Sequence, residues 1–267
     1  MQGGIAQTIG LVFAANARRR KINCPEWPGS SIYQFCKEVR FVGRKRSRLF
    51  GLSTKLEIAD PNAWLDTLPS DMTCARLSVL SRSDASISDR ESVGFANGGP
   101  MFLVQIVGST PEAWYSEWQV TNQGAPDRRI WSVTYRNLPN AVGLVEQRSP
   151  SAAREALASA LQDAISFSES HGMGFGYTFE AARRALNDES PLSGFYHADI
   201  VPEGLLSLSD LQLFSAAAKA WVFGGMGSWN DVWFDGDDQE DYRKVSDQLF
   251  LSIVDGLACA TNASADA

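Results

Sequence analysis

Histidine is almost absent: the 267 residues include two, His171 and His197. A catalytic base or a nitrogen-ligated metal would have to use one of these, or be built from carboxylates alone. Other marks of reaction chemistry are missing as well. No G-x-S-x-G elbow supplies a serine nucleophile and no H-E-x-x-H supplies a zinc site. The four cysteines, Cys24, Cys36, Cys74 and Cys259, include no C-x-x-C pair and are spaced too irregularly for a zinc framework. Scattered through a chain this long, they read as small buried apolar residues. No apolar run approaches the ~20 residues of a membrane span. Residues 5–15 are apolar and end in a small-x-small triplet, but Arg18, Arg19, Arg20 and Lys21 follow that run, whereas a secretory signal carries its cations first. Asn262-Ala263-Ser264 matches the glycosylation triplet, which is idle without a secretory route. The expectation is a cytoplasmic protein with no cofactor, no metal and no membrane contact.

What is present is ordinary globular composition, 44% hydrophobic and 21% charged, enough to bury a core in a chain of this length. The first half reads as strands divided by turns. Residues 31–42 carry Ile32, Tyr33, Phe35, Val39 and Phe41, a run of β-formers that ends at Gly43. The cationic stretch from Arg44 to Arg48 suits an exposed turn, and 49–59 offers a second strand. Asp60-Pro61 is a helix-start pair, a capping side chain before proline at the first helical position, and predicts a short helix over 61–68. Strands are expected at 75–80, 101–107, 114–121 and 130–136. Short connections favour antiparallel pairing. The period changes near 149. Ser149-Pro150 opens a helix with Leu157, Leu161, Ile165 and Ser168 along one face. Further helices are expected at 178–187, from Ser207 onward, and over 237–261, where Tyr242, Val245, Leu249, Ile253 and Leu257 recur at spacings of three and four.

The most distinctive string runs from Phe223 through Gly224, Gly225, Met226, Gly227, Ser228, Trp229 and Asn230 to Asp231. Glycine past a helix end has a purely structural use. A phosphate loop would need a strand before it and a helix directly after, and neither is expected here. Asn230 and Asp231 could bond a ligand or orient the loop itself, so Gly225, Gly227, Trp229, Asn230 and Asp231 are candidate binding residues. Over about residues 215–260 this string resembles a group of uncharacterised bacterial proteins with a similar glycine-tryptophan-asparagine corner followed by an amphipathic helix. The resemblance implies a bacterial origin and brings no activity with it.

Three other constellations bear on function. His197-Ala198-Asp199 places an imidazole and a carboxylate two apart, which could serve as base and orienter in a hydrolase, or lie solvated. The acidic run 235–241 lacks the spacing of a calcium loop and suits the positive end of a helix. Charge is divided unevenly. Residues 1–50 hold ten cations against Glu26 and Glu38, a net of +8, which leaves −15 for the rest of a chain whose total is −7. Arg44, Lys45, Arg46 and Arg48 form the densest part of that basic segment. They are candidates for an acidic protein face or a nucleic-acid backbone, or for internal pairing with the acidic half.

The sequence therefore leads to an α+β protein, an antiparallel sheet in residues 1–145 packed with about four helices in 146–267. The leading functional expectation is a non-catalytic bacterial binding protein acting with a protein partner. Its alternatives are a hydrolase using His197 and Asp199, and a nucleic-acid-associated protein using the basic segment 18–48.

Overall fold

In the computed structural model the opening apolar run becomes the innermost element. The structure describes residues 1–46, 53–83, 86–138 and 148–266. Helix α1, Gly3–Arg19, has every residue from Ile5 to Ala17 buried. It lies against the sheet and the last helix at once, so it has no polar face to show. Its buried polar side chains are put to use inside. Gln7 donates to the Ile32 carbonyl at 3.2 Å, and Thr8 to that of Gly4 at 3.0 Å.

Six strands follow: β1 Cys36–Arg46, β2 Ser53–Ile58, β3 Cys74–Leu80, β4 Met101–Val107, β5 Glu112–Val120 and β6 Trp131–Leu138. They form one sheet in the order β2-β1-β6-β5-β4-β3. Two short helices interrupt them, α2 Pro61–Asp66 and α3 Asp89–Ser92. Asp60 caps α2 through the Ala63 N–H at 2.9 Å, and Ser88 and Glu91 form a reciprocal capping box on α3. The second half supplies α4 Pro150–Ser170, α5 Gly176–Ala185, α6 Leu208–Lys219 and α7 Asp237–Asp266.

The fold is thus α+β, with three corrections to the expected detail. The sheet is mixed: β1 and β6 run parallel, Phe41 opposite Tyr135, while the other pairs are antiparallel. Alternation of apolar and polar residues marks a strand but carries no direction, so this could not be read from pattern. The described residues hold seven α-helices: four lie in 148–266, and α1, α2 and α3 lie in the first half, where only the helix at 61–68 was expected. Finally, β1 does not stop at Gly43. It continues through Arg44, Lys45 and Arg46, paired with Lys55, Thr54 and Ser53 of β2, so these cations belong to a strand and not to a turn.

Most of the buried apolar residues form one cluster running from Ile5 to Ala260. At one end, Phe41 stacks between Trp64 and Tyr135 at 4.8 and 4.9 Å, with Trp114 edge-on. At the other, helices α1 and α7 close the outer edge of β3 with two asparagines. Asn16 accepts from the Ala75 N–H at 2.7 Å and donates to the Ala75 carbonyl at 2.9 Å. Asn262 accepts from the Leu77 N–H at 2.6 Å and donates to the Leu77 carbonyl at 3.0 Å. Each carboxamide satisfies one N–H and one C=O of the strand, as a neighbouring strand would. The glycosylation-like triplet at Asn262 is therefore part of the core, with that side chain buried.

Candidate binding site

His197 and Asp199 come together around a third residue from the far end of the chain. Ser31 sits in a 3₁₀ turn, Ser31–Tyr33, just before β1. Its hydroxyl donates to Asp199 Oδ1 and lies 2.9 Å from His197 Nδ1. The second carboxylate oxygen of Asp199 accepts from the Ser30 hydroxyl at 2.6 Å and the Ser31 N–H at 2.9 Å. A serine hydroxyl has one hydrogen. With that hydrogen given to Asp199, Oγ accepts from Nδ1–H of His197. The ring is then the neutral tautomer with its lone pair on Nε2, and Nε2 makes no hydrogen bond among the described residues. Burial, and after it the positive N-terminus, lower the His197 pKa against an opposing pull from Asp199. For Asp199, burial would raise the pKa, but the three hydrogen bonds from Ser30 and Ser31 outweigh it and hold the carboxyl below its ordinary range.

The order of these groups decides their chemistry. Serine activation needs the imidazole between hydroxyl and carboxylate, so that the base can take the serine proton. Here serine stands in the middle, its proton turned towards the carboxylate. The trio fixes the imidazole; it does not make a nucleophile.

His197 is 8% exposed and forms part of the wall of a cleft of about 580 Å³. The cleft lies between the start of α1, the 93–98 loop, β4 and β5, and the segment that carries Ser31. Six aromatic side chains line it: Phe35, Phe95, Phe102, Trp118, Trp131 and Tyr196. Trp118 and Trp131 meet edge to face at 5.8 Å. Phe95 is 72% exposed, Tyr196 60% and Phe35 40%, so these rings stand open to solvent. Most polar lining groups are already committed to the frame. Asn97, at a left-handed φ of 61°, donates to the Trp118 carbonyl at 3.0 Å and accepts from its N–H at 2.7 Å. Ser116 accepts from the Trp118 indole at 3.1 Å, and Gln2 donates to the Val93 carbonyl at 2.8 Å. Arg82 donates through Nε to Gly99 and through Nη2 to Asn97.

The 223–231 corner stands directly behind this cleft. A Cβ on Gly94 would come within 2.3 Å of the Gly224 carbonyl oxygen, so loop and corner touch backbone to backbone. At the corner the Trp229 ring turns inward, Asn230 is half-buried and Asp231 stays exposed, yet all three are bonded within the chain. Trp229 is fully buried, its indole donating to Ser246 at 2.7 Å, its carbonyl accepting from the Tyr242 hydroxyl, and its ring packed edge-on against Phe175 and Phe179. Asn230 donates to the Arg90 carbonyl at 2.8 Å and accepts from its guanidinium at 3.2 Å, while Arg90 also reaches Asp247 at 2.6 Å. Asp231 accepts from the N–H of Gly227, which sits at φ +79°. Gly225 is exposed with no atom near an added Cβ. Of the whole corner, Met226, fully exposed, and the following Trp233, 71% exposed, are the large apolar groups facing out.

The basic segment is partly absorbed by the fold. Arg18 pairs with Asp66, Arg20 donates to the Leu205 and Gly204 carbonyls, and Arg40 approaches Glu57 at 3.9 Å. Arg44 is exposed, Lys45 and Arg46 end β1, and Arg48 lies outside the described residues. Among the described residues no three His, Cys, Asp or Glu side chains converge as a metal set, and no helix is long and apolar enough to cross a membrane. All four cysteines are free, and burial pushes the thiols of Cys36 and Cys259 up to about 11. Sequence reading found His197 and Asp199 but missed Ser31, Phe95 and Tyr196. The available signal was Phe95, a large apolar residue set in a loop between Gly94 and Gly98. Compared with protein-family models, curated proteins and solved structures, the chain matches none of them.

Proposed function

We propose that this chain is a non-catalytic binding protein whose ligand seats in the aromatic cleft beside His197. The observation that carries the reading is a cleft of about 580 Å³ with three solvent-exposed rings, Phe35, Phe95 and Tyr196. Its volume falls in the ~300–1,000 Å³ range of small-ligand sites, which are mostly apolar with a few placed polar groups. Exposing aromatic surface costs free energy that folding alone does not recover, and a ligand would cover it. The hydrolase alternative is weakened by the order His197–Ser31–Asp199, which leaves serine without a base.

A fragment screen read by two-dimensional NMR tests the proposal. Ligands should perturb signals around Phe95, Trp118 and His197, and Phe95→Ala should remove their binding without unfolding the chain. Hits that cluster elsewhere, or covalent labelling of Ser31 by a fluorophosphonate, would refute it. A second reading, contact with a protein partner, draws on Met226 and Trp233, the exposed apolar pair at the corner.

A further inference from the structure

We infer that the cleft takes a neutral, planar aromatic small molecule carrying one hydrogen-bond donor, which it presents to Nε2 of His197. This rests on the cleft being the binding site. Three features of the wall define the class. The first is shape and surface: with six rings lining it, stacking and edge-to-face contacts favour a flat π-system over an aliphatic one.

The second is charge. Among the described residues no aspartate or glutamate lines the cleft, so a cation entering beside them would lose water and gain no counter-ion from them. Among the described lining residues the cationic groups are Arg82, two arms of whose guanidinium serve the Gly99 and Asn97 carbonyls, and the Met1 ammonium, which donates to the Ala218 carbonyl at 3.3 Å. An anion would find that charge partly spent.

The third is the hydrogen-bond inventory. Asn97, Ser116, Thr8, Ser31 and the Gln2 amide nitrogen direct their groups into the frame, as described above. With Nδ1 held by Ser31, the lone pair on His197 Nε2 is an acceptor left for a ligand, alongside the Gln2 side-chain carbonyl. A donor on the ligand, a phenolic hydroxyl or a ring N–H, completes it. A ligand of the same shape without that donor would bury the nitrogen unmet, which is the costlier arrangement.

Titration calorimetry at neutral pH with three matched probes reads this directly: 2-naphthol, 2-methoxynaphthalene and 2-naphthylmethylammonium. The expected result is that 2-naphthol binds about ten-fold tighter than its methyl ether, the loss from one buried acceptor left unpaired, and that the ammonium probe binds weakest. Phe95→Ala, a change at an exposed ring, should weaken all three together. His197→Ala should abolish the preference for naphthol over its ether. Equal binding of naphthol and ether within the cleft would overturn the donor assignment and leave the cleft itself standing. Binding insensitive to Phe95→Ala would instead overturn the cleft reading on which it rests. A tripeptide Gly-Tyr-Gly that outcompetes 2-naphthol would also overturn the proposal, since the ring would then come from a partner protein's side chain.

Discussion

The cleft wall at His197 and the corner at Trp229 contain the same ingredients, aromatics beside glycines and one or two polar side chains. They differ in where their hydrogen-bonding groups point. At the corner, the Trp229 indole, the Asn230 amide and the Asp231 carboxylate all find partners within the chain. At the cleft, one imidazole nitrogen is held in place and the other is left open, beside rings that solvent reaches. Unspent polar capacity next to exposed apolar surface marks a site, and spent capacity around a buried ring marks a brace. The two are mechanically linked, because Gly94 meets Gly224 backbone to backbone.

The largest effect that would test this division is Trp229→Ala. Removing a fully buried indole should cost about 3–5 kcal/mol in urea unfolding. A loss under about 1 kcal/mol would show that the corner is no brace. Gly94→Ala comes next. Its methyl would strike the Gly224 carbonyl, so about 1–3 kcal/mol should be lost as the loop shifts. The 93–98 amide signals should move in NMR spectra, and unmoved signals would mean that corner and cleft are uncoupled. Ser31→Ala should cost about 1 kcal/mol by removing the hydroxyl that joins His197 to Asp199. It should also broaden the imidazole signals; a sharp, unshifted His197 ring would remove the reason for calling it fixed.

The smallest effect expected is on pH dependence. His197 holds its proton less tightly folded than at its ordinary 6.5, so the unfolded chain takes that proton first as pH falls. Its contribution is present above 6.5 and is lost as pH falls from there through the lower folded value. Asp199 is lowered from 3.8, so the stability it adds is present above 3.8 and disappears as pH falls through its folded value. Thermal melts of wild type and His197→Gln should converge as the medium is acidified from about pH 7 to about pH 5. Parallel curves would show that this imidazole titrates alike in both states.

Local chemistry was readable from sequence and long-range assembly was not. The caps at Asp60, Ser149 and Ser207 formed as their side chains dictate, each accepting from a backbone N–H three residues on. The stripe from Tyr242 to Leu257 is the buried face of α7. By contrast, α1 gave no period to read because it is buried on all sides. The direction of β6 against β1 depends on a crossover that no local pattern encodes. At the site, the pairing of His197 with Asp199 was visible as a two-residue spacing. Ser31 lies 166 positions from His197, and nothing local announces it. Phe95 falls outside every expected strand and helix, and its exposure belongs to the folded surface and not to residue type.

The two asparagines at β3 have a consequence for the molecule in a crowded solution. A bare sheet margin can recruit a like margin from another copy and start a growing fibre. Asn16 and Asn262 occupy the Ala75 and Leu77 amides and carbonyls with rigid helices behind them, so that margin offers a newcomer no free template there. The opposite margin, β2, pairs only with β1 among the described residues. Among the described residues, β2 is therefore the margin from which strand-by-strand self-assembly could start.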